Sequence, residues 1–220
     1  MPHKTGNLSS RRARDNRIDE EALVDLFVHK QKWEKCTNCS LSKDRNAVVL
    51  YRGQIPSELV WVGESPRALE EEVGQPFVGY SGDLLDYIMR KVCSQAHREV
   101  RYSVTNLVAC KSHQIFFQED CKISCVCSPN HSQISSCFAR LDEYLEICRP
   151  RVVVRVGDIS MRTILPNYPD ILIDFADFHR LFPVFASQSS SEIIADERTR
   201  DILYDLIARI LAGLNKRGNK

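Results

Sequence analysis

Two short apolar runs constrain this chain more than any other feature. Glu58-Leu-Val-Trp-Val62 and Arg151-Val-Val-Val-Arg-Val156 are rich in β-branched residues, and each is closed by a glycine, Gly63 and Gly157. Such a run, ended by a turn residue, is the pattern of a strand buried on both faces of a parallel sheet. Helical spacing lies around and between them. Leu84, Leu85, Ile88, Met89 and Val92 follow Ser81 and Gly82 with the period of an amphipathic helix. Ile134, Cys137, Phe138, Leu141 and Leu145 repeat in the same way between Pro129 and Cys148. Tyr102 to Val108 and Phe182 to Ala186 read as further strands, Asp158 to Leu165 as a short helix, and Ala195 to Leu214 as a closing helix. Strands alternating with helices predict an α/β fold, a three-layer α/β/α sandwich on a four-stranded parallel central sheet, with ligands at the carboxyl ends of the strands.

Before the first strand, Met1 to Arg17 is polar and Ser/Arg-rich and is expected to be unstructured. Asp19 is placed to cap a helix through Trp33, with Leu23, Leu26 and Phe27 as its apolar positions. Residues 18–214 then form one domain between basic tails at 1–17 and 215–220. The 220 residues suffice for one buried core, and 43 % hydrophobic with 27 % charged residues is ordinary for a globular chain. No apolar run reaches the roughly 20 residues of a membrane span, and the polar N-terminus lacks a signal-peptide core. A cytoplasmic monomer without membrane contact is expected. A net charge of +1 excludes nucleic-acid binding by bulk charge, but Lys4, Arg11, Arg12, Arg14 and Arg17 at one end and Lys216, Arg217 and Lys220 at the other could touch phosphates. As solvated tails they would do nothing of the kind.

Nine cysteines in a chain without a secretion signal point to metal or redox chemistry rather than a disulfide framework. Cys36-Thr-Asn-Cys39 places two thiolates on one tight turn, suited to zinc or to an iron-sulfur cluster. A zinc ribbon would bring a second close pair, whereas a cluster draws its other ligands from separate elements, as Cys110 at a strand end and Cys137 in a helix would allow. Cys121, Cys125 and Cys127, near His113 and His131, form a second group that could hold zinc. Cys93 and Cys148 fall at apolar helical positions and read as core.

The segments between the strands carry an ordered series of motifs. Gly63-Glu-Ser-Pro-Arg67 is followed by Glu70-Glu71, Gly74-Gln-Pro-Phe-Val-Gly79 and Ser81-Gly-Asp-Leu-Leu85, then Thr105-Asn-Leu-Val-Ala-Cys110 and Arg149-Pro-Arg-Val-Val-Val154. In this order they resemble family 4 uracil-DNA glycosylases, whose forms are close to GEAPG, an acidic pair, GxPFVG, xGxLL, TNVVKC and PRVVVALG. The resemblance covers most of residues 36 to 165. It implies a 4Fe-4S cluster on Cys36, Cys39, Cys110 and Cys137, and a DNA substrate, single- or double-stranded.

It also implies roles that the residue types can fill. A glycosylase must flip its nucleotide into a pocket, stack on the base and read its Watson-Crick edge. Phe77 offers the stacking face, and Asn106 has both the carbonyl and the NH2 to read a uracil edge. Glu64 is the carboxylate to position water, with Ser65 and the N-H groups beside it near the base. Glu70 and Glu71, as an acidic run, are expected on a solvated face.

Three features depart from the family. Its late HPSYLL-like motif has a histidine donor, where this chain has Phe185-Ala-Ser-Gln-Ser189, leaving Ser187 or Gln188 as neutral donors; His179 lies too early to substitute. Arg67 replaces a glycine and puts a cation at the pocket rim, able to hold a phosphate or a polar base substituent. The segment between Cys110 and Cys137 is longer than usual. The expected activity is hydrolysis of the N-glycosidic bond of uracil or a modified pyrimidine; the alternative is a catalytically weakened glycosylase fold that binds DNA or a partner.

Overall fold

The computed structural model describes residues 8–118, 121–126, 128–158, 160, 170–173, 177–178, 181 and 197–215. The described elements are α1 (Leu8–Trp33), a 3-10 turn (Ser40–Lys43), β1 (Tyr51–Gly53), β2 (Leu59–Gly63), α2 (Ala68–Val73), α3 (Tyr80–Ala96), β3 (Tyr102–Asn106), β4 (His113–Gln118), β5 (Cys121–Val126), α4 (His131–Cys148), β6 (Val152–Val156), β7 (Asp170–Ile173) and α5 (Glu197–Asn215).

The central sheet runs β1-β3-β2-β6-β7. β3, β2, β6 and β7 are parallel, with Trp61 facing Val104 on one side and Val154 on the other. β1 closes the β3 edge antiparallel, pairing Tyr51 with Thr105. The sheet therefore has five strands where four were expected. The added antiparallel strand is too short, at three residues, to carry a period. The fourth parallel strand among the described residues is β7, which sequence reading missed; the expected strand Phe182 to Ala186 lies outside the described residues, as does most of Asp158 to Leu165.

Side chains alternate across the strands, so each face takes its own helix pair. Leu59, Trp61, Val104, Val152 and Val154 meet Leu84, Leu85, Ile88 and Met89 of α3 and Leu206, Ile207 and Ile210 of α5. Val60, Val62 and Val153 meet Leu141, Tyr144 and Leu145 of α4, with Leu26 of α1 behind them. These are the three layers. Burying an aliphatic or aromatic side chain of this kind contributes about 1.5–3 kcal/mol, so the periodic positions of α3 and α4 suffice to dock them. α4 starts in a reciprocal cap: the Asn130 side chain accepts from Gln133 N at 3.0 Å, and Gln133 Oε1 accepts from Asn130 N at 2.9 Å.

Two local expectations are corrected. Asp19 does not cap α1, which begins at Leu8; it lies inside the helix and pairs with Arg101 at 2.9 Å. Nor do Leu23 and Phe27 form the buried stripe, since they are 57 % and 63 % exposed, while Ala22, His29 and Trp33 are buried. The helix is oriented by polar tertiary bonds: His29 Nε2 to Arg140 O at 2.9 Å, and Trp33 Nε1 to Glu143 at 2.7 Å. The Cys-rich stretch after Cys110 forms an antiparallel hairpin, β4 with β5. Among the described residues no helix is long and apolar enough to cross a membrane.

Candidate active site and metal centre

The carboxyl ends of β2, β3 and β6 converge on one cavity of about 300 Å³, lined by Gly63, Glu64, Ser65, Arg67, Glu70, Phe77, Ser81, Asn106, Val156 and Phe178. Parallel pairing brings this about, since Gly63 ends β2 directly opposite Asn106, the last residue of β3. A side chain at position 63 would overlap Asn106 Oδ1 and stand 2.5 Å from Phe77 Cε2. Glycine thus lets the amide and the ring come together over the strand end. Gly63→Ala is expected to cost about 1–3 kcal/mol through overpacking, measured by denaturant unfolding.

Asn106 is 1 % exposed, and its Nδ2 has no acceptor among the described residues. Buried amide groups are rarely left unpaired, and those that are call for an explanation such as a ligand. Glu64 follows Gly63 and lies over Gly157, where a Cβ would stand 2.6 Å from Glu64 Oε1. Gly157 has φ +104° at the end of β6, so the residue that closes this strand also makes room for the carboxylate. Ser128 Oγ, just beyond the β4–β5 hairpin, donates to Glu64 Oε2 at 3.4 Å. Ser65 is half-buried in the wall, and Arg67 is exposed at the rim. The structure therefore gathers Glu64, Ser65, Arg67, Phe77 and Asn106 in one place.

Glu70 and Glu71 are not on a solvated face. They are 7 % and 2 % exposed. Glu70 Oε2 accepts from Arg67 N at 2.7 Å and its other oxygen from Phe77 N, tying both ends of the Arg67–Phe77 loop to one carboxylate. Burial raises its pKa above the ordinary carboxylate value, against the lowering by these N-H donors. Glu71 accepts from Asn46 N at 3.0 Å and pairs with Lys111 at 2.7 Å.

Phe77 has φ +54°, an unfavoured conformation for a residue with a side chain. Besides Glu70, Arg52 holds it there: Nε donates to Pro76 O at 2.9 Å and Nη2 to Phe77 O at 3.1 Å. Arg52 is in turn set by Asp86 at 3.2 Å, which also accepts from Tyr102 Oη at 2.9 Å. Arg52→Ala releases both carbonyls and is expected to cost about 1–3 kcal/mol of stability, measured by denaturant unfolding.

The four cysteines of the sequence pattern line a second cavity together with Trp33, Asn38, Arg45, Val48, Ala109 and Arg140. All four are free thiols. Backbone N-H groups point at two of them, Asn38 N to Cys36 Sγ and Ala109 N to Cys137 Sγ, each at 3.5 Å, and Arg45 Nη1 donates to Cys110 Sγ at 3.5 Å. Burial pushes the Cys110 thiol up to about 11, against the lowering by Arg45. Among the described residues no three His, Cys, Asp or Glu side chains form a group able to hold a metal ion. Four cysteines are a soft donor set of the kind that suits zinc or an iron-sulfur cluster. Cys121 and Cys125 fall on β5, and their side chains, with all of Cys127, lie outside the described residues. Cys148 is core, at 1 % exposure.

Ser187, Gln188 and His179 also lie outside the described residues. Sequence reasoning missed Phe178 and Ser81 as cavity walls and Glu70 as a loop tie. For Glu70 a signal existed, since an acid three residues after a loop residue at a helix start is the capping pattern.

Comparison with known proteins fits this geometry. Residues 50–209 match the family described as the Uracil DNA glycosylase superfamily. A type-4 uracil-DNA glycosylase of Pyrobaculum aerophilum is 28 % identical over 142 residues, 64 % of this chain and 65 % of that protein. The protein of that name from Thermotoga maritima is 31 % identical over 141 residues, 64 % of this chain and 65 % of its own length. That of Archaeoglobus fulgidus is 30 % identical over 144 residues, 66 % and 64 %. The chain thus spans about two thirds of the length of these relatives. With the matched segment holding the sheet, the glycine-ended strands and the residues gathered at their ends, the chain belongs to the uracil-DNA glycosylase superfamily.

Proposed function

We propose that the chain is a monofunctional DNA glycosylase that hydrolyses the N-glycosidic bond of a flipped-out uracil or modified pyrimidine. The observation that carries this reading is the Nδ2 of Asn106, without an acceptor among the described residues, at the wall of a cavity of about 300 Å³ beside Phe77 and Glu64. The base stacks on Phe77, while Asn106 accepts from the ring N3-H and donates to the adjacent carbonyl oxygen. Glu64 holds a water toward C1′ and opposes the positive charge that builds on the sugar. The C1′–N1 bond breaks with its electron pair leaving on the base, and the water oxygen bonds to C1′ as its proton passes to the Glu64 carboxylate and then to the released base. Ser187 or Gln188 donates to the departing base as a neutral group, which stabilises its charge less than a cation would. Arg67 at the rim takes a phosphate of the DNA or a polar substituent of the base.

Cys36, Cys39, Cys110 and Cys137 would hold a 4Fe-4S cluster. When bound, it cross-links the loop after α1, the end of β3 and α4, and its role is structural. The lack of a histidine between Phe185 and Ser189 favours one other reading, a DNA- or partner-binding module without catalysis. Incubation with single- and double-stranded oligonucleotides carrying uracil, hypoxanthine or 5-substituted pyrimidines, followed by alkaline cleavage, separates the two. Strand breaks that Glu64→Ala removes are expected; retained binding with no breaks on any base would leave the binding module.

A further inference from the structure

Arg140 lies one turn after Cys137 on α4 and is 1 % exposed. Its guanidinium is spread over the end of β3: Nη1 donates to Thr105 Oγ1 at 2.9 Å, and Nη2 donates to Leu107 O at 2.9 Å and to Asn106 O. None of these acceptors is charged. Among the described residues its Nε has no acceptor, and no carboxylate forms an ion pair with it. A buried cation without a counter-charge is strongly unfavourable, and arginine does not escape by losing its proton. Yet the same side chain lines the cavity of Cys36, Cys39, Cys110 and Cys137, where Arg45 is the other cation. Four thiolates around an iron-sulfur core carry net negative charge.

We infer that Arg140 links the two sites: the charge of the thiolate-held cluster compensates its guanidinium, and the guanidinium in turn sets the Asn106 and Leu107 carbonyls and hence the Asn106 amide. The inference rests on the cluster and glycosylase readings above. Arg140 is a positioning residue, as it touches neither base nor sugar. A lysine in its place keeps the charge beside the cluster but, as a point charge, does not bridge two carbonyls and a hydroxyl. Glutamine removes the charge.

The test uses cluster-loaded protein and needs no turnover. For parent, Arg140→Lys and Arg140→Gln, iron content is determined, the cluster midpoint potential is measured by protein-film voltammetry, and binding is titrated with a single-stranded oligonucleotide carrying one non-hydrolysable 2′-fluoro-2′-deoxyuridine, against the same strand without it. Loss of a neighbouring cation disfavours adding an electron, so Arg140→Gln is expected to shift the potential negative or lose its iron, while Arg140→Lys keeps the iron and stays near the parent potential. Both variants are expected to lose about tenfold in preference for the fluorouridine strand. A Gln variant with parental iron and potential, or a Lys variant no better than Gln, would overturn the charge link; parental preference in both would overturn the link to Asn106. A parent chain that takes up no iron fails the cluster reading instead, and a parent without preference for the fluorouridine strand, beside an Arg140→Gln variant with the shifted potential, fails only the glycosylase reading.

Discussion

Asn106→Ala is expected to lower kcat/KM on a uracil oligonucleotide about 10³-fold, the scale on which removal of a preorganised polar group from a closed site is felt. The same change should barely affect stability, because the Asn106 Nδ2 has no acceptor among the described residues. In a fold that buries Asn106 to 1 % exposure, a polar group whose loss leaves folding nearly unchanged is one held for a ligand. Excision rates and a denaturant midpoint, measured on the same preparation, make the comparison. A drop in midpoint as large as the drop in rate would assign Asn106 to the architecture of the β3 end. Glu64→Ala supplies the contrast, expected to remove turnover while leaving uracil-strand affinity nearly intact, since it acts on the sugar and water rather than on the base edge.

The second large effect is expected from Cys137→Ala, with loss of iron and of roughly 4 kcal/mol or more of stability, which lowers Tm by about 10 °C or more in a chain of this size. Cys137 lies nearly two turns into α4, Cys110 follows the end of β3, and Cys36 follows α1, so a cluster on these residues would tie three separate elements of one face. Without it, that face depends on packing such as the stacked pair Tyr51 and Tyr144, with ring centroids 5.1 Å apart, and on the Trp33 to Glu143 bond. Iron and zinc analysis, visible absorption and thermal melting read the result. One zinc per chain with no visible absorption would replace the cluster by a single-ion site, and an unchanged melt would make Cys137 a bystander. The brown colour should survive Asn106→Ala, whose amide faces the other cavity.

What could be read directly from the chain is what repeats locally. The runs at β2 and β6 are buried on both faces, so almost every residue in them is apolar, and the glycines that end them mark where the backbone must yield to a ligand-side group. The periods of α3 and α4 follow from single-sided burial. That Glu64, Phe77 and Asn106 line one cavity was legible because each falls at a strand end or in the segment after one, and an α/β sheet with ordered crossovers brings such ends together. β7 was not, since its four residues alternate exposed and buried at the sheet edge and show neither a run nor a helical period.

The rest was decided by contacts between residues far apart in the chain. Nothing local distinguishes the buried Glu71 from a solvated acidic run, since its partners are the distant Asn46 and Lys111, and the capping spacing of Glu70 does not show that its other oxygen reaches Phe77 N. Leu23 and Phe27 look like a core stripe, yet α1 is turned by His29 and Trp33 toward α4. No local pattern marks Arg52 or Arg140; only the fold carries them to the Phe77 and Asn106 carbonyls. Periodicity specifies which faces are covered, because burial repeats with the backbone. The partners of a buried charge come from tertiary packing alone, because the groups that satisfy it need no fixed separation along the chain.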